Sequence, residues 1–503
     1  MSDLVVSTAS GKVRGLREEG MAQWRGIPYA EPPLGALRFL PPRPPVPWTG
    51  ERDATRFGAV AEQIRNPGSV ISSIGDQPMS EDCLVLNVFS PAADGARRPV
   101  VVWIHGGAFV MGSGSQPLYN AASFVTRHDL VVVTLNYRLG LLGLLYLGEL
   151  AGERYRHGNV ALLDQIAALR WVRENIAAFG GDPARVTVMG ESAGAIAVAS
   201  LLAMPAARGL FDRAILQSGA TELKPPSRAE ATEIARRVLA DLGTDVAGLA
   251  DVPAERLVTV QERFVRTRGI GAFTPCVDGE SIPRPPLEAV RGGDGAKVPI
   301  LIGSNRDEWA LFDVILGKSA TGAQKAYLRD RFGEDLLRIQ AACRDARATR
   351  TAAPGPARTA DAGAWIDVIG DLMFRIPAIR LAEAHARHAP AWMYRFDWES
   401  PARGGKFGAA HAIELPFVWN QLDLPVSQDL VGEDVAGARP LAAQIHGAWA
   451  AFIRGGEPAA EGLPAWPRHD EPRRATMLLD RAPRVADDPD AALREVWNAV
   501  YPT

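Results

Sequence analysis

Short, unbroken apolar runs separated by glycine-rich turns organise the middle of the chain. The run VVVWI at 100–104 leads into a glycine loop, and LVVVTLNY follows at 130–137. Both runs are too short for a helix and show no polar alternation, the pattern of strands buried on both faces of a parallel sheet. Between Asn159 and Phe179 the period changes. Leu162, Ile166, Leu169, Val172 and Ile176 recur at spacings of three and four, with Gly180-Gly181 just beyond, which predicts an amphipathic helix closed by glycine. A β-branched run at 185–189 then runs into GESAG, and the small apolar residues after Ser192 predict a strand that turns abruptly into a helix. AILQS at 214–218 and PILIGS at 299–304 continue the alternation of strand and helix expected of an α/β protein. The segments at about 222–297 and 309–387 read as long, helix-rich insertions that roof the sheet. No solenoid-type repeat or linker divides the chain, so one domain over residues 1–503 is the expectation.

Composition narrows the class of partner. Apolar residues make up 47% and charged residues 22%, and 58 acidic against 55 Lys and Arg side chains leave a net charge of −3. No surplus of positive charge exists to follow a nucleic-acid backbone or an anionic membrane. The most apolar stretch, 131–150, is interrupted by Asn136, Arg138, glycines and Glu149, which argues against a membrane span. Three cysteines, Cys83, Cys276 and Cys343, cannot all pair and lack metal-ligand spacing. The first residues, MSDLVVSTASGKVRG, alternate as a strand would, with no basic and apolar leader. A cytoplasmic location is the expectation.

The candidate chemistry centres on GESAG at 190–194. A serine hydroxyl becomes a useful nucleophile when a tight strand-to-helix turn lifts it out, with glycines on both flanks to let the backbones pass. A plain glycine turn would also satisfy the pentapeptide, but here a strand precedes it and a helix follows. HGGAF at 105–109 directly follows the apolar run ending at Ile104, where small residues can turn backbone N–H groups toward a carbonyl oxygen. Gly107, Ala108 and Ala193 are the expected donors, with His105 shaping the loop. Among eight histidines, His411 in GAAHAIELPF is the candidate base, because a small-residue loop precedes it and a compact apolar stretch follows. For the acid, LIGSNRDEW offers the neighbours Asp307 and Glu308. The order Ser192, Glu308, His411 is the chain order of an α/β-hydrolase triad.

The chain resembles the type B carboxylesterase family, which includes cholinesterases and bacterial para-nitrobenzyl esterases. The motifs run nearly end to end: WRGIPYAEPPLGALRF, SEDCLVLNV, WIHGGAF, NYRLG, FGGDPARVTVMGESAG, ILQSG, GSNRDEW and HAIELPF. The resemblance implies an α/β-hydrolase fold with a deep gorge, a serine carboxylesterase acting through an acyl-enzyme, Glu308 rather than Asp307 as the acid, and His411 as the base. It implies a small-molecule ester as substrate and no metal or organic cofactor, and leaves the oligomeric state open. A lactonase, amidase or carbamate hydrolase would use the same triad. A non-catalytic cholinesterase-like binding protein would typically lack the serine, which is present here.

The resemblance also implies framework ion pairs of Glu81 with Arg138 and of Asp82 with Arg38, and a second polar pair, Ser218 and Glu414, near the triad. Three positions depart from the family pattern. Ala61 stands upstream of Cys83 where a disulfide partner would lie, so Cys83 should be a free thiol. No tryptophan occurs near Ser73, which counts against choline esters. Trp309 replaces the glycine that usually follows the acid.

Overall fold

The computed structural model describes residues 4–65, 74–220, 225–269, 271–315, 317–349, 360–433 and 435–502. The chain divides into two units, Met1–Leu216 with Lys224–Pro299 and Ile453–Gly456, and Gln217–Leu223 with Ile300–Phe452 and Glu457–Thr503. Each is described by itself.

In the first unit the apolar runs become strands. These are β1 Val5–Thr8, β2 Gly11–Arg14, β3 Leu16–Glu18, β4 Met21–Pro28, β5 Glu51–Asp53, β6 Val85–Ser90, β7 Arg98–Ile104, β8 Val131–Leu135, β9 Gly181–Glu191 and β10 Arg213–Gln217. The main sheet runs β10-β9-β7-β8-β6-β4-β3, while β1, β2 and β5 form a small sheet of their own. β7 lies between parallel neighbours, with Val102 opposite Val133 on β8 and Val188 on β9. Every residue of β8 is buried, as is every residue of β7 after its first. Burial on both faces explains why the two runs read as continuous rather than alternating. β6 and β4 continue the sheet antiparallel.

The helix predicted after Asn159 spans Val160–Asn175, is extended by a 3-10 turn at Ile176–Phe179, and ends on Gly180 at φ 85°. That left-handed stop is what glycine supplies at little cost. β9 passes through Ser192 into a helix at Ala193–Ala203 that is buried at nearly every position. A helix this apolar all round belongs in a core.

The second unit contains β11 Ile300–Asn305, β12 Ala391–Phe396, β13 Ala475–Leu479 and β14 Arg484–Asp487, in the order β14-β13-β12-β11. β11, β12 and β13 are parallel and β14 closes the edge antiparallel. Between β11 and β12 the chain is helical, including Asp335–Ala348, Ala360–Gly370 and Ile376–Ala386. The segment at 222–297 likewise carries helices at Arg228–Leu242, Ala254–Arg268 and Pro286–Arg291.

The framework ion pairs differ from those implied by resemblance. Arg38 pairs with Glu81 rather than Asp82, its Nε donating to Glu81 Oε2 at 2.7 Å. Arg138 pairs with Asp164 rather than Glu81, at 2.8 Å from Nε and 2.6 Å from Nη2. Arg138 is 3% exposed and Asp164 fully enclosed. A guanidinium so deep needs a carboxylate equally deep, and the helix 160–175 supplies one, whereas Glu81 is only partly buried; Asp82, the partner implied for Arg38, is exposed. Cys83, Cys276 and Cys343 are buried and none is in a disulfide, and burial raises the Cys83 and Cys276 thiols well above the ordinary range. The neighbourhood of Ser73 lies outside the described residues. Among the described residues no helix is long and apolar enough to cross a membrane.

Candidate active site

In the first unit Ser192 sits at φ 56°, ψ −122°, between β9 and the helix Ala193–Ala203. A non-glycine residue here is strained, and the flanking glycines show what holds it. A Cβ on Gly194 would lie 2.0 Å from the Ile104 carbonyl oxygen, and one on Gly190 would lie 2.4 Å from the Gly194 carbonyl carbon. Backbone meets backbone at both positions, so GESAG has no room for side chains at its ends. Ser192 is half-buried while Glu191 and Ala193 are enclosed.

The loop at 105–112 lies directly against this turn. A Cβ on Gly106 would come 2.8 Å from the Glu191 carbonyl oxygen and 3.2 Å from Ser192 Cβ. Gly107 has φ 105°, and Ala108 and Phe109 follow at 54° and 58°. The Gly106 carbonyl is turned to His105 Nδ1 at 2.8 Å. The Gly107 carbonyl accepts from Val110 and Met111 at 3.0 and 3.1 Å. In a planar trans peptide the N–H points opposite to the preceding carbonyl, so the Gly107 and Ala108 N–H groups are directed away from these partners. Neither they nor the Ala193 N–H donate to a backbone carbonyl in the turns and loops of the described residues. For Ala193 this is the ordinary state of a first-turn helix donor.

His105 is the loop's internal prop. It is buried, stacked on the Tyr137 ring at 4.4 Å and 19°, and its carbonyl accepts from Tyr137 Oη at 2.7 Å. Burial pushes its pKa down to about 4, so it is neutral around pH 7 and does not compete as an anion site.

In the second unit the structure brings Glu308 and His411 together. His411 Nδ1 lies 2.6 Å from Glu308 Oε2, and Glu308 Oε1 accepts the Asn305 N–H at 2.7 Å. With a carboxylate as acceptor, Nδ1 carries the proton and the Nε2 lone pair is left to accept another. Both side chains are at most 3% exposed. The His411 ring is flanked by Phe312 and Phe374, with centroids at 5.1 and 4.7 Å. Trp309 packs on Phe312 at 4.9 Å, and its Nε1 donates to Thr321 Oγ1 at 3.2 Å. The bulk in place of glycine therefore fills an aromatic layer beside the histidine.

Asp307 points elsewhere. It accepts from Arg306 Nη2 at 2.8 Å, Arg347 Nη2 at 3.0 Å and the Ala409 N–H at 3.1 Å. Arg347 is itself held by two bonds of 2.7 Å to Asp367. Asp307 clamps the segment leading to His411, a framework role. Glu414 is bonded not to Ser218 but to Asn305 Nδ2 at 2.6 Å and Gln217 Nε2 at 3.3 Å. Burial, then the Glu308 charge, pushes its pKa up to about 7, against lowering by the Asn305 amide and His411. The Ser218 hydroxyl has no hydrogen-bond partner among the described residues.

The carboxylesterase family model matches residues 2–497. The chain belongs to the carboxylesterase family. It is similar to the para-nitrobenzyl esterase of Bacillus subtilis, 39% identical with 98% of each chain covered. It is similar also to the phenmedipham hydrolase of Pseudarthrobacter oxydans, 38% identical over 96% of this chain and 97% of that one. Among solved structures, a Geobacillus stearothermophilus carboxylesterase is 40% identical with a TM-score of 0.86, covering 98% of this chain and all of that one. A para-nitrobenzyl esterase structure reaches 38% and the same TM-score over 98% and 99%. The carboxylesterase here accordingly has the α/β-hydrolase fold, and it is a carboxylic-ester hydrolase.

Sequence reasoning about this carboxylesterase missed the supports of Glu308 and His411. Asn305 holds Glu308 with its backbone and Glu414 with its amide, yet GSN reads as an ordinary strand end. Phe312 and Phe374 lie 62 positions apart in the chain, and no periodicity links them.

Proposed function

We propose that the carboxylesterase works through Ser192 as nucleophile, His411 as general base and Glu308 as the acid that orients and stabilises the imidazolium. What carries this reading is the strained Ser192 turn with the 105–109 loop packed against it. The Glu308–His411 bond, which fixes the tautomer a base needs, supports it. In this mechanism His411 Nε2 takes the Ser192 proton as the hydroxyl oxygen attacks the ester carbonyl carbon. The N–H groups of Gly107, Ala108 and Ala193 stabilise the oxyanion. His411 then gives its proton to the departing alcohol. Water, deprotonated by the same histidine, cleaves the acyl-enzyme and releases the acid. Base, orientation and charge stabilisation all come from protein groups, so the cycle calls on no metal or organic cofactor.

By likeness to the Bacillus enzyme, para-nitrobenzyl and simple aryl esters are the proposed test substrates. Three buried cysteines, none in a disulfide, fit a reducing compartment, and we place the enzyme in the cytoplasm. A fluorophosphonate followed by peptide mapping tests the nucleophile: a single adduct on Ser192 with loss of activity is expected, and an adduct on Ser218 instead would overturn the assignment.

A further inference from the structure

The helix Ala254–Arg268 buries Leu257, Val260, Gln261 and Phe264, an i, i+3, i+4, i+7 stripe in which one member is an amide. A polar side chain in such a stripe is costly unless its hydrogen bonds are made inside. Gln261 is 3% exposed. Its Oε1 accepts the Leu141 N–H at 3.0 Å and its Nε2 donates to the Val110 carbonyl at 3.4 Å. The N–H at Leu141 fixes which end of the amide faces which partner.

The two segments it ties together bear on the 105–112 loop. Gly140 donates its N–H to the Phe109 carbonyl at 2.6 Å, so the turn at 140–141 and the end of the loop are already joined. Gln261 adds the next link on each side. Gly140, at φ 51°, is where the amide closes in: a Cβ there would stand 1.6 Å from Gln261 Oε1. On the opposite side, Gln63 braces Gly112 through its N–H at 2.7 Å and its carbonyl at 2.9 Å. The carbonyls of Gly107, Phe109 and Val110 are thus all engaged by the protein. Holding them fixes the left-handed pair Ala108–Phe109, and with it the direction of the Gly107 and Ala108 N–H groups.

We infer that Gln261 is a positioning residue for oxyanion stabilisation, acting from a helix outside the catalytic motifs by holding Val110 and Leu141 in register. The inference rests on Gly107 and Ala108 being the oxyanion donors. It predicts a defect confined to states that carry negative charge on the former carbonyl oxygen. Ground-state binding, which does not depend on those donors, is spared.

The test compares an aryl trifluoromethyl ketone, whose serine adduct carries an oxyanion, with the matching methyl ketone. In Gln261→Met, close in size but unable to form either bond, kcat/KM for an aryl ester should fall roughly 10- to 100-fold. Trifluoromethyl ketone affinity should weaken by the same factor, with methyl ketone affinity and KM little changed. A folded Gln261→Met that keeps its preference for the trifluoromethyl ketone overturns the role of Gln261. Wild-type enzyme that binds both ketones equally overturns the oxyanion-loop reading itself. Should Gln261→Met not fold, Gln261→Glu decides. Its carboxylic acid can make both bonds when protonated and repels the Val110 carbonyl when ionised. Activity relative to wild type should then drop as pH rises, and a constant ratio across pH refutes the inference.

Discussion

Removing the Ser192 hydroxyl alone leaves the turn's strain unchanged, because alanine at φ 56° costs about what serine does. Ser192→Ala is expected to lose at least roughly a thousandfold in kcat with little change in melting temperature, and near-wild-type turnover by the folded variant would sink the nucleophile assignment. The two carboxylates that the residues left open offer a sharper comparison. Glu308 faces His411 while Asp307 faces Arg306 and Arg347, so each substitution should fail in its own way. Glu308→Gln should lower kcat about a hundredfold or more, since an amide does not stabilise imidazolium as a carboxylate does. Asp307→Asn should mainly lower the melting temperature, because it strips two guanidinium groups of a buried partner. Rate measurements at matched fractions of folded protein separate the two, and a larger kcat defect in Asp307→Asn would reverse their roles. Motif and order made the proposed chemistry legible at this scale. The partners of Arg38 and Arg138 were not legible, because depth and facing decide an ion pair and sequence proximity decides neither.

Elements built from local signals were readable. The strands at 98–104 and 131–135, the helix from Val160 and the strand-to-helix turn at Ser192 all follow from period, glycine placement and β-branching. β12, β13 and β14 gave no such signal. β12 carries Arg395 as the fifth residue of its sequence AWMYRF, buried only because Asp397 and Asp490 receive its guanidinium at 2.6 and 2.7 Å. Asp490 lies 95 positions away, and nothing local announces that rescue. β14 is a short, largely exposed edge. Where glycine was legible it marks the tightest packing, and it can be probed. Gly194→Ala would drive a methyl group against the Ile104 carbonyl, a backbone atom of a buried strand that has no rotamer to change. We expect a loss on the order of 3 kcal/mol or failure to accumulate folded protein. Gly322→Ala is the control for loss of glycine alone, since like Gly194 it lies in a helix without a left-handed φ, but it meets nothing within 4 Å. Equal melting temperatures for the two variants would contradict the packing account.

At the scale of the whole molecule, composition and strand–helix alternation were enough for the α/β class, whereas the pH dependence of stability rests on charge states that only burial reveals. Two buried groups pull in opposite directions. Glu414 titrates at about 7 in the folded chain against an ordinary 4.5, so the folded state keeps a proton that the unfolded chain releases. Its contribution is complete below about 4.5 and is lost as pH rises through 7,. His105 titrates at about 4 against an ordinary 6.5. The unfolded chain therefore takes up a proton that the folded state refuses, and stability is complete above about 6.5 and declines as pH falls toward 4,. Shifts of this size are each worth at most roughly 3 kcal/mol, and between 4.5 and 6.5 their slopes oppose one another. Glu414→Gln removes one of them while keeping an oxygen to accept from Asn305. The melting temperature of Glu414→Gln minus that of wild type should therefore increase with pH from about 5 to about 8, since carboxylates remote from Glu414 contribute alike to both proteins and cancel in the difference. Thermal melts of the pair across that range check it. A difference that stays flat, or that shrinks as pH rises, would show that Glu414 is ionised throughout and that the charge beside Glu308 is permanent.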